Sequence, residues 1–139
     1  MSKHQQTGMR GVYLVAAEIA ARGLIVAPTS RSAAGADLLV TDENCDRALS
    51  VQVKTNSRPA NFWLVGPRAR SIASKSHLYV FVNIRPAGQA HEYYVVPSKC
   101  VAEKSKIEVR PSSTWYSFFR ADAARFRSKW SLLGAASDE

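Results

Sequence analysis

The chain has 139 residues, 46% of them hydrophobic and 22% charged. This composition excludes a disordered or fibrous protein and predicts one globular domain over residues 1–139. A net charge of +8 favours a polyanionic partner, either a nucleic acid or an anionic membrane surface. The two cysteines do not have metal-ligand spacing, which favours the reducing cytoplasm. The sequence also has no apolar run long enough to span a bilayer, so we expect a protein that is not inserted in a membrane.

The first 55 residues are predicted to form one helix and three strands. Val12, Val15 and Ile19 recur at helical spacing within residues 7–22, and Gly23 ends the helix. Glu18 lies on the stripe beside this apolar face. Short apolar runs at residues 24–27, 36–41 and 48–55 predict three strands, and the polar segment between the last two predicts a hairpin.

Strands and short helices alternate through the remainder of the chain. Strands are predicted at residues 62–65, 78–85, 92–96 and 107–109, and short helices at residues 67–76 and after Pro97. A final amphipathic helix is predicted at residues 117–133, with Phe118, Phe119, Phe126 and Trp130 in the core. This order favours an α/β fold with three layers and a central mixed sheet flanked by helices.

The hairpin brings polar side chains to one face. Alternation along a strand places Gln52 and Lys54 on the same side of the sheet. A turn symmetric about residues 44–45 places Asp37 opposite Gln52, where directly opposed Cβ atoms lie about 4.5–5.5 Å apart. An acid, an amide and an ammonium are therefore expected to converge.

Such groups suit a divalent cation. Mg²⁺ takes oxygen ligands, commonly one or two carboxylates with water, and Asp37, the Gln52 amide and the Val53 carbonyl offer three. Glu18 would add a second carboxylate, directly or through water. Lys54 would orient the attacking water or neutralise charge that develops on phosphorus.

Residues 35–40 (GADLLV) followed by residues 51–55 (VQVKT) resemble the PD-(D/E)XK nuclease superfamily, in particular archaeal Holliday junction resolvases and Mrr-like endonucleases. The resemblance covers residues 7–96 and implies a restriction-endonuclease-like core, dependence on Mg²⁺ or Mn²⁺, and hydrolysis of DNA. It implies metal ligands at Asp37 and Gln52, the catalytic lysine at Lys54, and the helix carboxylate at Glu18. Residue 52 is Gln where Glu or Asp is usual, a form that Mrr-like members share.

Residues around the hairpin are candidates for contacts with the DNA backbone. They lie in the loop before the Asp37 strand, directly after Lys54, and on the helix predicted at residues 67–76. The candidates are Ser30, Arg31, Thr55, Arg58, Arg68 and Arg70.

Three functions remain open from the sequence. The first is a metal-dependent DNA endonuclease or resolvase. The second is a nucleic-acid-binding module on a nuclease-like fold that has lost hydrolysis, which Gln52 motivates. The third is a structural or partner-binding accessory protein. A homodimer is the assembly that the resemblance to resolvases suggests, and the sequence leaves the oligomeric state open.

Overall fold

The computed structural model of the protein describes residues 1–30 and 35–134. Its helices are α1 (Lys3–Ala21), α2 (Ser98–Lys104) and α3 (Arg120–Ala123). Its strands are β1 (Ile25–Pro28), β2 (Leu38–Thr41), β3 (Ala48–Asn56), β4 (Phe62–Val65), β5 (His77–Asn83), β6 (Glu92–Pro97), β7 (Lys106–Val109) and β8 (Thr114–Phe119). Single 3₁₀ segments form at Pro67–Arg70, Ala124–Phe126 and Trp130–Leu133.

Helix α1 begins at Lys3 because the residues before it form a capping box. The Ser2 hydroxyl accepts a hydrogen bond from Gln5 N at 3.1 Å, and Ser2 N donates to Gln5 Oε1 at 3.0 Å. Gly23 follows the helix with a φ of +82°, which glycine adopts without steric cost. The helix thus starts earlier than the predicted residue 7, and its first turn carries Lys3 and His4.

The central sheet has five strands in the order β1-β2-β3-β5-β6. Strands β3 and β5 are parallel, whereas the other neighbours are antiparallel, so the predicted mixed sheet is confirmed. Leu38 pairs with Val51 and Leu39 with Ser50, which is the register expected for the hairpin.

One polar side chain organises the hairpin turn. Asp42 Oδ1 accepts hydrogen bonds from Asn44 N at 3.1 Å and from Asp46 N at 3.0 Å. An aspartate that bonds the backbone ahead of it mimics a backbone turn, which explains why the chain reverses at this point. The turn fixes the register of β2 against β3 and hence where Asp37 lies.

Helix α1 covers one face of the central sheet. Its buried residues Val15 and Ile19 pack in one cluster with Leu49, Val51 and Val53 of β3. Because side chains alternate along a strand, the neighbours Ser50, Gln52 and Lys54 project to the opposite face and are half-buried.

A second, antiparallel sheet in the order β4-β8-β7 packs against that opposite face, together with α2 and α3. Its contact with β5 is aromatic. Trp63 is 1% exposed, lies against the rings of Phe81 and Tyr94, and donates from Nε1 to the Val82 carbonyl at 2.9 Å. The hydrogen bond satisfies the indole N–H, so that the whole Trp63 side chain lies in the core.

The predicted final helix at residues 117–133 is wrong. Thr114–Phe119 form strand β8, and only short helical segments follow. The aromatic run around Phe118 suits a pleated surface, where Phe118 is fully buried and Phe119 on the other face is half-buried. A backbone bridge between Arg127 and Tyr94 of β6 then interrupts the helical path.

Two smaller features also bear on the predictions. The helix predicted at residues 67–76 is a single 3₁₀ segment, Pro67–Arg70. Within residues 1–30 and 35–134, no helix has the length and hydrophobicity required to cross a bilayer.

Candidate functional site

Asp37 lies directly before β2, where the ladder with β3 ends. Its backbone N donates to the Val51 carbonyl at 2.8 Å, and its carboxylate Oδ2 accepts a hydrogen bond from Val53 N at 2.8 Å. The carboxylate therefore takes the place of a strand neighbour for Val53. These two contacts lie on either side of Gln52 along β3, so Asp37 is centred on that residue, as the hairpin register predicted.

The Val53 backbone also fixes where its carbonyl points. In a β-strand, the N–H and C=O of one residue face the same neighbour. Since the Val53 N–H faces the Asp37 carboxylate, the Val53 carbonyl faces the same side. The other carboxylate oxygen, Asp37 Oδ1, accepts no hydrogen bond from the part of the chain that the structure describes.

Asp37, Gln52, Val53 and Lys54 all line one cleft of about 1040 Å³. The walls come from the first three turns of α1, the end of β1, the second half of β3, and β4. The exposed ring of Tyr13 stands on one wall. The structure thus brings together the four hairpin positions that the sequence singled out.

The side chains that line the cleft carry a net positive charge. Lys3, His4 and Lys54 line it, and Asp37 is the one carboxylate among the described residues that do so. No acidic side chain in the described ranges forms an ion pair with Lys54. A cleft with a surplus of cationic side chains favours an anionic ligand.

Glu18 lies outside this cleft. Its Oε2 forms an ion pair at 2.8 Å with Nη1 of Arg22, the residue that caps the C-terminus of α1. The α1 residues that line the cleft lie between Lys3 and Tyr13, and none is acidic. The structure therefore does not bring Glu18 to Asp37, because Glu18 falls on a later turn of the helix than the one facing the site.

Side chains that commonly bind metals do not cluster in the part of the chain that the structure describes. Across residues 1–30 and 35–134, no group of three or more His, Cys, Asp or Glu side chains comes together. Any cation in the cleft would depend on one carboxylate, on amide and carbonyl oxygens, and on ligands from water or substrate. Mg²⁺ is often held in this way, with substrate phosphates completing its shell.

The predicted DNA contacts divide into three groups. Ser30 and Thr55 line the cleft. Arg31 lies outside the described residues. Arg58 is exposed in the loop after β3 and does not line the cleft. Arg68 and Arg70, on the 3₁₀ segment Pro67–Arg70, are also exposed and also lie outside the cleft.

Arg70 has a structural contact, since its Nη1 donates to the Ser105 carbonyl at 3.1 Å. The charge of Arg68 acts on His77 in β5. Burial lowers the pKa of His77, and the positive charge of Arg68 lowers it further. His77 Nδ1 is 2.7 Å from Ser50 Oγ, next to Gln52 on β3. The lowered pKa favours the neutral imidazole, and neither His77 nor Ser50 lines the cleft.

Several lining residues were missed from the sequence. Lys3 and His4 reach the cleft because α1 starts early, and the Ser2-x-x-Gln5 capping box was a signal that would have placed them on the helix. Trp115 also lines the cleft from β8. No local sequence pattern predicts that Trp115 lines the cleft, because its position depends on how the second sheet packs against the central sheet.

Gly11 lets α1 approach β3 closely beside the cleft. A Cβ atom built on Gly11 would overlap Thr55 Oγ1, and Thr55 Cβ would be 2.8 Å away. The Thr55 hydroxyl is buried at this contact and has no hydrogen-bond partner among the residues that the structure describes. Gly11 therefore sets the distance between the helical wall of the cleft and the strand that carries Lys54.

No model of a known protein family matches the sequence, and no curated protein matches it. Solved structures do match. Hjc, a Holliday junction resolvase from the archaeal hyperthermophile Archaeoglobus fulgidus, is 10% identical with a TM-score of 0.57, over 94% of this chain and 98% of that one. The bacterial homing endonuclease I-Ssp6803I is 17% identical with a TM-score of 0.59, over 96% and 92%.

These likenesses span nearly the full length of both chains. Together with the five-stranded mixed sheet between helices, they show that the chain has a restriction-endonuclease-like α/β core. The predicted fold class is confirmed. At such low sequence identity, the structural similarity is evidence for the fold alone, and the function has to be argued from the site.

Proposed function

We propose that the protein is a metal-dependent nuclease that hydrolyses DNA phosphodiesters in the cleft. The observation that carries the proposal is the convergence of Asp37, Gln52, the Val53 carbonyl and Lys54 on one basic cleft. The two proteins that share the fold are named as a Holliday junction resolvase and a homing endonuclease. These names support DNA as the substrate class.

The donor set suits Mg²⁺ or Mn²⁺. Asp37 Oδ1, the Gln52 amide oxygen and the Val53 carbonyl are the oxygens that would hold the ion, all of them hard ligands. When bound, such an ion polarises a phosphodiester and lowers the pKa of a coordinated water. Glu18 is not part of this donor set, since it pairs with Arg22 outside the cleft.

The chain's own residues would divide the remaining work. Lys54 projects into the cleft from the same strand face as Gln52, and no carboxylate of the described residues neutralises it. Its ammonium would stabilise the charge that develops on the phosphoryl oxygens. Val53 N holds the Asp37 carboxylate at 2.8 Å, which orients the other carboxylate oxygen towards the cleft without a cost at the moment of reaction.

A second candidate is DNA binding without hydrolysis. One observation favours it: Asp37 is the only carboxylate among the described residues that line the cleft. An amide at residue 52 attracts a cation less strongly than a carboxylate, because it carries no net charge. Under this alternative, the basic cleft holds DNA and the metal is dispensable.

The deciding experiment compares wild type, Asp37→Asn and Glu43→Gln on plasmid, single-stranded and branched DNA, with Mg²⁺ or Mn²⁺. Asparagine can still accept the Val53 hydrogen bond, so Asp37→Asn removes charge while keeping the local backbone. We expect it to lower the cleavage rate by about 100-fold or more. Glu43 is exposed in the hairpin turn, and its substitution makes the same charge change with no loss expected.

The outcomes separate the candidates. Cleavage by wild type and Glu43→Gln, lost in Asp37→Asn, supports the nuclease. Binding of DNA by all three proteins with no metal-stimulated cleavage supports the second candidate. Equal cleavage by all three proteins contradicts a role for Asp37. The predicted homodimer and the cytoplasmic location stay predictions.

A further inference from the structure

A second cavity lies beside the cleft and carries two arginines. It has a volume of about 510 Å³ and is lined by Asn61, Tyr94, Phe119, Arg120 and Arg127, with two alanines between the arginines. These five residues define the arginine pocket. It belongs to neither the hairpin site nor the sequence motif.

Arg120 is held in place from beneath by a buried carboxylate. Glu92 is 2% exposed, and its Oε1 forms an ion pair with Arg120 Nη2 at 3.0 Å. Arg120 Nε donates to the Tyr94 hydroxyl at 3.0 Å, and that hydroxyl donates to Glu92 Oε1 at 2.7 Å. The side chain is still 41% exposed, so the rest of its N–H groups face the pocket in a fixed orientation.

Arg127 is anchored by its backbone and exposed at its side chain. It forms a β-bridge with Tyr94, and the next residue, Ser128, donates from its N to the Tyr93 carbonyl at 2.8 Å. Its guanidinium has no hydrogen bond or ion pair to any described residue. The pocket therefore holds one oriented arginine and one that pairs with none of the described residues.

The local charge is not balanced. Glu92 also accepts a hydrogen bond from Arg85 Nη1 at 3.1 Å, so one carboxylate pairs with the guanidiniums of Arg85 and Arg120, and the charge of Arg127 acts on it without an ion pair. An arrangement with more guanidinium than carboxylate charge leaves bidentate donors available. Arginine matches the geometry of phosphate oxygens with such paired N–H groups.

The pocket and the cleft are lined by neighbouring residues of one short segment. Ala60 and Phe62 line the cleft, while Asn61 between them lines the pocket. Arg120 N donates to the Asn61 carbonyl at 2.8 Å, and the rings of Phe62 and Phe119 lie 6.0 Å apart. Neighbouring side chains of an extended segment point to opposite sides, so a DNA strand that leaves the cleft would reach the arginines by crossing this segment.

We propose that the arginine pocket is a second phosphate subsite, which binds a backbone phosphate of the DNA strand that occupies the cleft. Arg127 and the free N–H groups of Arg120 contact the phosphate, whereas Glu92 and Tyr94 position Arg120. The proposal rests on the proposed function only in that DNA occupies the cleft. It does not require hydrolysis.

The test measures DNA affinity by fluorescence anisotropy in EDTA, so that cleavage plays no part. Wild type is compared with Arg127→Gln and with the matched control Lys129→Gln, an exposed cation two residues away that does not line the pocket. The probes are labelled oligonucleotides of about 4 and about 20 nucleotides, since single-strand sites span roughly that range. The longer probe is used in whichever form, single-stranded or duplex, wild type binds more tightly.

For the longer probe we expect Arg127→Gln to weaken binding about five-fold at moderate salt and to reduce the slope of log K against log salt by about 0.7–0.9, the value for one phosphate contact. Lys129→Gln and the short probe should show neither effect. Circular dichroism checks that Arg127→Gln is folded, which is expected because the residue is exposed.

Equal affinities and slopes for the two variants overturn the proposal. If Arg127→Gln weakens calorimetric binding of inorganic phosphate but leaves DNA affinity unchanged, the pocket is a site for a free anion and the proposal is also overturned. Failure of the proposed function has a different signature, namely that wild type binds DNA and does not cleave it with Mg²⁺.

Discussion

Glu92 shows how a single buried charge is stabilised. Burial acts to raise its pKa, but hydrogen bonds from Tyr94 and Asn83 and the positive charges of Arg120 and Arg127 outweigh burial, so the pKa lies below the usual glutamate value. A carboxyl group with a lowered pKa in the folded state stabilises the protein once it is ionised. Its contribution is complete above the unfolded-state pKa and is lost as the pH falls through the folded-state pKa.

We therefore predict that Glu92→Gln lowers the free energy of unfolding by about 1–3 kcal/mol at neutral pH, because it removes charged hydrogen bonds from a buried position. The difference from wild type should shrink as the pH falls from the usual glutamate pKa through the lower folded-state pKa, below which Glu92 is protonated and neutral like glutamine. Urea unfolding at several pH values between neutral and strongly acidic measures this. A difference that stays constant over the whole pH range would contradict the assigned role of the Glu92 charge.

Gly11 and Gly8 make a matched pair at the scale of helix α1. A methyl group on Gly11 overlaps the Thr55 hydroxyl, whereas one on Gly8 meets nothing within 4 Å. We predict that Gly11→Ala destabilises the protein by about 1–3 kcal/mol through overpacking. Gly8→Ala should stabilise it by about 0.5–1 kcal/mol, since alanine restricts the unfolded chain more than glycine. Denaturant unfolding of both variants compares them directly.

The double variant Gly11→Ala with Thr55→Ala tests the cause. It removes Oγ1 and Cγ2 of Thr55 and leaves Thr55 Cβ, which the new methyl still approaches to 2.8 Å, so part of the stability lost in Gly11→Ala should return. If the double variant is as unstable as the sum of the two single variants, the contact between α1 and β3 is not what makes glycine necessary at residue 11.

The elements also show what the sequence could predict. The β2–β3 hairpin was predictable because Asp42 at the turn and the alternation of Leu49, Val51 and Val53 are local signals. Strand β8 was not, because its aromatic run suits a helix stripe and a strand equally well, and only the pairing of Trp63 with Phe118 decides between them. Glu18 is a similar case, since helical spacing does not say which turn of α1 faces the cleft.

At the scale of the whole molecule, the net charge of +8 has two interpretations. The excess positive charge is either spread over the surface or concentrated along the path of a bound DNA strand. That path would include the cleft, with Lys3 and Lys54, and the arginine pocket. Both predict that DNA binding weakens with salt. They differ in whether the position of a removed charge matters.

We predict that Lys3→Gln, which removes a cation that lines the cleft, lowers DNA affinity several-fold and reduces the salt slope by about 0.7–0.9. Lys75→Gln removes an equal charge from an exposed position before β5 that does not line the cleft. Its slope should match that of wild type, because a lysine that touches no phosphate releases no counterion. Anisotropy titrations without divalent metal, over a series of salt concentrations, give both slopes. Equal losses of DNA affinity in the two variants would mean that diffuse surface charge holds the DNA. That result would contradict the cleft as the DNA-binding site, even though the nuclease fold is unchanged.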